Sequence, residues 1–119
     1  MKAKRGLTAV YRNLVKTRAL LAERASWIKG EEERKTIGPS GKVEKVQYCL
    51  LGALRKADGA GEQDAMRLIG DVAVSLYPKR ASHVSRNAKI FTFNDHNDTR
   101  HSQVLRVLDA AIKEVSTDG

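Results

Sequence analysis

A cysteine and a histidine are the residues of this sequence that could do covalent chemistry together. Cys49 opens an apolar stretch, and His101 follows a polar run that contains Asn94 and Asp95. A cysteine thiolate is a nucleophile, a histidine can take its proton, and an amide or carboxylate can orient the imidazole ring. These residues therefore suggest acyl transfer or hydrolysis, although their order along the chain differs from the papain-like order of Cys, His, Asn.

Each member of this pair also has a structural interpretation. The surroundings of Cys49, Cys-Leu-Leu-Gly, are typical of a buried core. A position at a helix start favours the thiolate whereas burial opposes it, so the direction of the pKa shift stays open. His101 falls on the same helical face as Val104 and Leu108, which favours an inward histidine that makes a structural hydrogen bond.

A metal site is a second chemical alternative in the same polar run, with His83 as a further ligand. His96 and His101 are five positions apart, which is not the i, i+4 spacing of a helical zinc pair. Capping of the next helix by Asp98 or Thr99 explains the polar residues more simply, so we expect no metal and no cofactor. The candidate ligands are Asp95, His96, Asp98 and His101.

The charge balance points to a polyanionic partner. Lys and Arg number 22 against 14 Asp and Glu, which gives a formal charge of +8 and a pI near 9.9. Such a chain favours nucleic acid or an acidic protein surface. Aromatic residues make up only 5%, which leaves few platforms for stacking on single strands. The candidate binding residues are Arg5, Arg12 and Lys16 on one helical face, and Lys79, Arg80, Arg86 and Lys89 in a linker.

The length of 119 residues predicts one domain, with a basic tail at 1–6, a helical domain at 7–115 and a tail at 116–119. One cysteine excludes an internal disulfide and fits a reducing compartment, so we expect a cytoplasmic protein. No apolar run approaches the roughly 20 residues that cross a bilayer. The basic N-terminal segment has a regular apolar face, which favours a part of the fold over a targeting signal.

Periodicity predicts the elements that would position these residues. A first helix is expected over Leu7–Ile28, closed by Gly30, and an exposed loop follows over 30–45 with a turn at Gly38–Gly41 that could be a hairpin tip. Buried or amphipathic helices are expected over Val46–Ala57 and Glu62–Tyr77, an extended segment over Ile90–Phe93, and a last helix from about Thr99. The fold class is therefore mainly α, with about four helices and a short extended segment or hairpin, and Trp27 and Tyr48 help to fill its core.

Four short motifs resemble a small bacterial domain family of unknown function. They are Trp27-x-x-Gly30, Cys49-x-x-Gly52-Ala53-Leu54, Phe93-Asn94-Asp95 and Thr99-x-His101-x-x-Val104. The family usually has Trp where this chain has Phe93. The resemblance implies a mostly helical fold and supplies no activity.

Size, charge and the absence of a strong catalytic motif favour a non-enzymatic binding or regulatory protein. The alternative is a Cys-His hydrolase or acyltransferase that uses Cys49 and His101, with Asn94 or Asp95 in support.

Overall fold

The computed structural model describes residues 4–57, 59–82 and 84–116, with side chains from residue 8 onward. Over this part of the chain, five α-helices and one antiparallel hairpin form a mainly α domain, which confirms the expected fold class. The elements are α1 (Lys4–Leu20), a 3₁₀ turn (Arg24–Ser26), β1 (Glu33–Ile37), β2 (Val43–Tyr48), α2 (Leu50–Ala57), α3 (Glu62–Leu76), α4 (Arg86–Asp95) and α5 (His101–Ser116).

The first helix ends at Leu20, eight positions before the predicted end at Ile28. The amide of Ile28 donates instead to the carbonyl of Tyr48 at 3.0 Å, so the chain leaves the helix to join the base of the hairpin. Gly30, with φ +88°, turns the backbone within this later segment and does not close the helix. Tertiary pairing here outweighs the helical propensity of the Ala-rich segment that follows Leu20.

The turn at 38–41 is the tip of a hairpin, and the two strands that flank it occupy much of the segment that was predicted to be an exposed loop. Glu33 pairs with Tyr48 at the base and Ile37 pairs with Val43 near the tip, with a bulge between Thr36 and Ile37. Residues 39–45 are exposed, so the hairpin projects from the domain. The predicted helix over Val46–Ala57 was wrong in its first part, because residues up to Tyr48 belong to the second strand and α2 begins only at Leu50.

The extended segment predicted over Ile90–Phe93 was also wrong, because these residues lie inside α4. The hydroxyl of Ser85 accepts a hydrogen bond from the amide of Ala88 at 3.1 Å and caps the start of this helix. Ile90 and Phe93 are both buried while Phe91 is exposed, which is helical spacing and not strand alternation. The linker of basic residues is correspondingly shorter, since Arg86 and Lys89 are part of the helix.

Helix α3 matches its prediction to within one residue, and α5 begins two residues after the expected start at Thr99. The hydroxyl of Thr99, one of the two predicted caps, does not cap the helix, because this oxygen has no partner among the described residues. The side chain of Gln103 instead accepts from the amide of Arg100 at 2.9 Å. The core joins all five helices, with Tyr48 buried and Trp27 half-buried at its edge.

Within the part of the chain that the structure describes, no helix is both long enough and apolar enough to cross a membrane.

The close contact between α2 and the entry to the hairpin depends on Gly52. The carbonyl oxygen of Glu32 accepts from the amide of Cys49 at 3.2 Å and lies where a Cβ of residue 52 would be. A side chain there would overlap fixed backbone, so α2 and the strand would have to separate.

We therefore expect Gly52→Ala to lower the free energy of unfolding by about 2 kcal/mol or more in urea denaturation. Gly70→Ala in α3 is the matched control, because its Cβ would meet the flexible Lys89 side chain at 3.3 Å, and its higher helix propensity offsets that contact. Equal effects of the two substitutions would contradict the role given to Gly52.

Candidate anion-binding site at the start of the last helix

The side chain of Asn94 is a buried junction between three parts of the chain. Its Oδ1 accepts from the Trp27 indole at 2.6 Å and from the Leu50 amide at 2.9 Å. Its Nδ2 donates to the Ile28 carbonyl at 3.1 Å and to Asp95 Oδ1 at 2.9 Å. Asn94 is fully buried, and both ends of its amide are satisfied. This residue, predicted to orient a catalytic imidazole, makes all of these bonds within the fold.

Asp95 continues the same junction, because its Oδ1 also accepts from the Gly30 amide at 3.0 Å. The Asn94-Asp95 pair thus holds the segment 27–30 against the end of α4 and the start of α2. The structure places the pair in the last turn of α4, where the elements it joins are α4, α2 and the segment 27–30.

Cys49 is buried, with 3% of its surface exposed, and its Sγ accepts from the Gly52 amide at 3.3 Å. Burial raises the pKa of the Cys49 thiol, and the Gly52 hydrogen bond offsets only part of that effect. Asp95 is close enough to act in the same direction, since its negative charge disfavours a thiolate. The direction that the sequence left open is therefore upward, away from a reactive nucleophile at neutral pH.

The Nε2 atom of His101 is hydrogen-bonded to the backbone and not to Cys49. This atom lies 2.6 Å from the carbonyl oxygen of Leu21, and since a carbonyl only accepts, the Nε2–H donates. The imidazole lies 6.1 Å from the Trp27 ring, centroid to centroid. Cys49 and His101 border two different cavities, and neither hydrogen-bonds to the other within the described residues. The histidine thus makes the structural bond that its inward position predicted.

A cavity of about 500 Å³ opens at the start of α5. The segment 24–29 forms one wall, with Arg24, Trp27 and Lys29, and the segment 97–101 forms the other, with Arg100 and His101. Three of these side chains are cationic, and no carboxylate is among the residues that border the cavity. The remaining lining residues are Ile28, Asn97 and Thr99.

The backbone of α5 adds further donors to this cavity. The first turn of a helix presents amides that have no acceptor in a preceding turn, and together they carry a partial positive charge. Just before α5 the Arg100 amide donates to the side-chain oxygen of Gln103, and the Gln103 and Val104 amides both donate to the Arg100 carbonyl. The amides of His101 and Ser102 come between them at the exposed start of the helix. No acidic residue stands in this turn to neutralise it.

Thr99 supplies an unusual feature of the same wall. It is 2% exposed, and its hydroxyl is one of three buried side-chain polar atoms that have no hydrogen-bond partner among the described residues. Leaving such a group unpaired costs about 1–3 kcal/mol. A bound anion or an ordered water would complete it.

The basic residues predicted from the sequence are placed unequally. Arg12 and Lys16 are exposed on α1, and the side chain of Arg5 lies outside the described residues. Lys79 is exposed, whereas Lys89 makes an ion pair with Asp71 at 3.2 Å.

Arg80 and Arg86 are partly buried. The guanidinium of Arg80 donates to Gln103 at 2.7 Å and lies 4.9 Å from the Tyr77 ring centroid, which brings it beside the start of α5. The Nε of Arg86 is buried and has no partner within the described part of the chain.

The residues of the metal alternative make local bonds. His96 Nδ1 accepts from the Asp98 amide at 3.1 Å, and His83 lies outside the described residues. Among the residues that the structure describes, no group of three or more His, Cys, Asp or Glu side chains could hold a metal ion.

The cations of the cavity were not singled out from the sequence. Arg24 and Lys29 stand in a segment that was assigned to a long helix and its end, and Arg100 was passed over as part of a helix start. The available signal was the run Asn97-Asp98-Thr99-Arg100, in which only Asp98 and Thr99 are assigned roles from the sequence, as caps and, for Asp98, as a metal ligand. Its partner segment could be identified only from the fold.

A family model matches residues 7–114, and its description is Family of unknown function (DUF6197). Comparison with curated proteins and with solved structures found no significant match.

The raised pKa of Cys49 predicts a thiol that reacts slowly with alkylating agents. At any pH the native protein holds a smaller fraction as thiolate than an unfolded chain does, so alkylation by iodoacetamide should be slower by at least about tenfold in the native state, since access adds to ionisation. Because the folded pKa is raised, the associated stability is present below the unfolded thiol pKa of about 8.5 and is lost as pH rises through the folded value. His101→Ala should leave the alkylation rate unchanged. A rate that is fast in the native protein and falls in this variant would show a working Cys-His pair.

Removing the Asn94 amide should be costly. Asn94→Ala leaves the Trp27 and Leu50 donors and the Ile28 carbonyl without their partner, so we expect the free energy of unfolding to fall by about 3 kcal/mol or more. Urea denaturation measures the change, and Gln63→Ala at an exposed position of α3 is the control. A loss below about 1 kcal/mol would show that water replaces these bonds freely.

Proposed function

This chain belongs to the family of unknown function that matches residues 7–114, and because its description carries no activity, we propose from the geometry that the protein binds nucleic acid without catalysis. The observation that supports this proposal is the cavity at the start of α5, which Arg24, Lys29 and Arg100 border and no carboxylate borders. Arginine and lysine side chains and the amides of a helix start are the donors that contact phosphates in protein–DNA complexes.

Neighbouring cations extend this surface. Arg80 shares the Gln103 acceptor with the Arg100 amide, so its guanidinium lies next to the first turn of α5. Arg106, one turn further along α5, lies 5.8 Å from the Tyr77 ring centroid. The overall charge of +8 adds a long-range attraction for any polyanion.

The ion pairs among the described residues lie elsewhere. Arg34 pairs with Glu31 and Arg67 pairs with Asp64, on the hairpin side and on α3. Arg24 and Arg100 have no carboxylate partner among the described residues. Their charges are therefore available to a ligand, and because both residues border the same cavity, this end of the molecule is favoured as the binding surface.

A Cys-His hydrolase or acyltransferase is the second candidate. The buried thiol of Cys49, its raised pKa and the engagement of His101 by the Leu21 carbonyl make this function less favoured. The single cysteine fits a reducing compartment, and we therefore propose the cytoplasm as the location.

The salt dependence of binding tests this proposal. We expect a labelled DNA duplex to bind with an affinity that falls linearly with salt on a logarithmic plot, and Arg24→Ala/Arg100→Ala to reduce the slope by about 2. The matched control is Arg34→Ala/Arg67→Ala, which removes the same charge from two paired sites.

An equal loss of DNA affinity in the two double variants would show that binding depends only on the net charge of the protein. That result would overturn the assignment of the surface. Absence of binding at low salt would overturn nucleic acid as the partner and direct attention to an acidic protein surface.

A further inference from the structure

We propose that the cavity at the start of α5 takes a single nucleotide unit, with its phosphate against the first turn of the helix and its base against Trp27. The unit could be a free nucleotide or the 5′-phosphorylated end of a strand, since both offer the same chemistry. The inference deepens the proposed function, because it assigns a specific ligand class to the pocket within the basic surface.

The polar lining of the cavity selects an anion. Arg24, Lys29 and Arg100 are cations, and the His101 and Ser102 amides at the start of α5 would be further donors for an anion there. A ligand with a carboxylate or phosphate would meet attraction from both walls. A cationic ligand would meet three like charges and find no carboxylate among the residues that border the cavity.

Thr99 is the observation that points to a ligand independently of charge. Thr99 borders the cavity, and its hydroxyl oxygen is buried, has almost no accessible surface and has no partner in the described part of the chain. Rotation of the side chain about its Cα–Cβ bond would turn this hydroxyl toward a ligand. Thr99 stands two positions before His101, where α5 begins, so a phosphate held by the first turn would lie close to it. An accepting phosphate oxygen would supply the missing hydrogen bond, and phosphates offer such acceptors in several directions.

The size of the cavity indicates more than a phosphate. Its volume of about 500 Å³ falls within the range of small-molecule sites, whereas inorganic phosphate would leave most of it empty. The part of the ligand beyond the phosphate must therefore fill space beside Trp27, the only tryptophan of the chain.

Trp27 is held in place for this role. Its indole N–H is bonded to Asn94 at 2.6 Å. Lys29 Nζ, which donates to the His96 carbonyl at 2.5 Å, lies over the ring at 5.5 Å from its centroid, so a base that stacks on this face would take the place of the ammonium group. A fixed indole that borders an anion site is a stacking surface for a base, and stacking of this kind tolerates any base. The combination of a stacking ring with phosphate donors is the chemistry of nucleotide recognition.

The single tryptophan also reports on the site. Its fluorescence, excited at the red edge of the band where adenine does not absorb, is titrated with AMP, adenosine and inorganic phosphate. We expect saturable quenching by AMP, at least tenfold weaker binding of phosphate and of adenosine, and a loss of about tenfold or more in AMP affinity for Arg100→Ala. Arg67→Ala, which removes a paired charge on α3, is the control.

Thr99→Val separates ligand binding from folding. It removes the hydroxyl at nearly constant shape, so AMP affinity should fall about fivefold or more while stability in urea stays equal or rises, because a buried group without a partner has been removed. Lower stability with unchanged AMP affinity would overturn the role of Thr99 as a ligand contact.

Oligonucleotides identify the source of the unit. Tighter binding of a 5′-phosphorylated strand than of its 5′-hydroxyl counterpart would support a strand end, and binding of AMP with no difference between the strands would support a free nucleotide. Equal affinities for phosphate and AMP, or no saturation with AMP, would overturn the inference. Duplex binding that still depends on Arg24 and Arg100 would leave the proposed function standing in either case.

Discussion

The hydrogen bonds of the buried Asn94 amide hold together the part of the molecule on which everything else depends. An amide is the side chain that can accept from two donors with its oxygen and donate twice with its nitrogen, and all four bonds are made here. A carboxylate would lack the donors, and an apolar residue would leave the Leu50 and Trp27 N–H groups unpaired in the core. Such fully satisfied polar junctions fix one arrangement of the segments that they join.

This junction also determines where the cations go. Asn94 holds Trp27 and Ile28 against the end of α4. Arg24 and Lys29, in the same segment, are thereby positioned beside the N-terminal end of α5. The cavity therefore combines two segments that are about 70 positions apart in the sequence, and neither segment alone presents more than two positive charges to it. The residues that resemble a catalytic set build the scaffold, whereas the cations of the proposed binding site are carried by the segments beside it.

The parts of the fold that could be predicted were those with one clear periodicity. Helix α3 has apolar residues at helical steps and a proline after its end, so its limits were found almost to the residue. The apolar run from Val46 to Ala57 contains the end of a strand and a helix, and a continuous run of this kind does not distinguish the two. In Lys89–Phe93 the alternation of residue types matched a strand, although Ser85 offered a cap for the helix that forms.

The site was harder to foresee for a different reason. A Cys, a His and an Asn stand out in a sequence because each can do chemistry, yet their partners are fixed by tertiary contacts such as Leu21 with His101 and Gly52 with Cys49. Arg24, Lys29 and Arg100 are ordinary surface residue types in a chain with 22 Lys and Arg, so nothing local distinguished them from the others. Only the fold separates cations that are paired from those that meet in a cavity.

The cavity has an energetic consequence for the folded protein. Three like charges, the positive end of α5 and an unpaired Thr99 hydroxyl all oppose the native state, although exposure to solvent and salt keeps the charge repulsion small. The proposed phosphate-bearing ligand would offset these costs only in the native state, since the unfolded chain does not bring the two walls together. Binding and stability would then be coupled at this site, and the stabilisation would grow with ligand concentration relative to the dissociation constant.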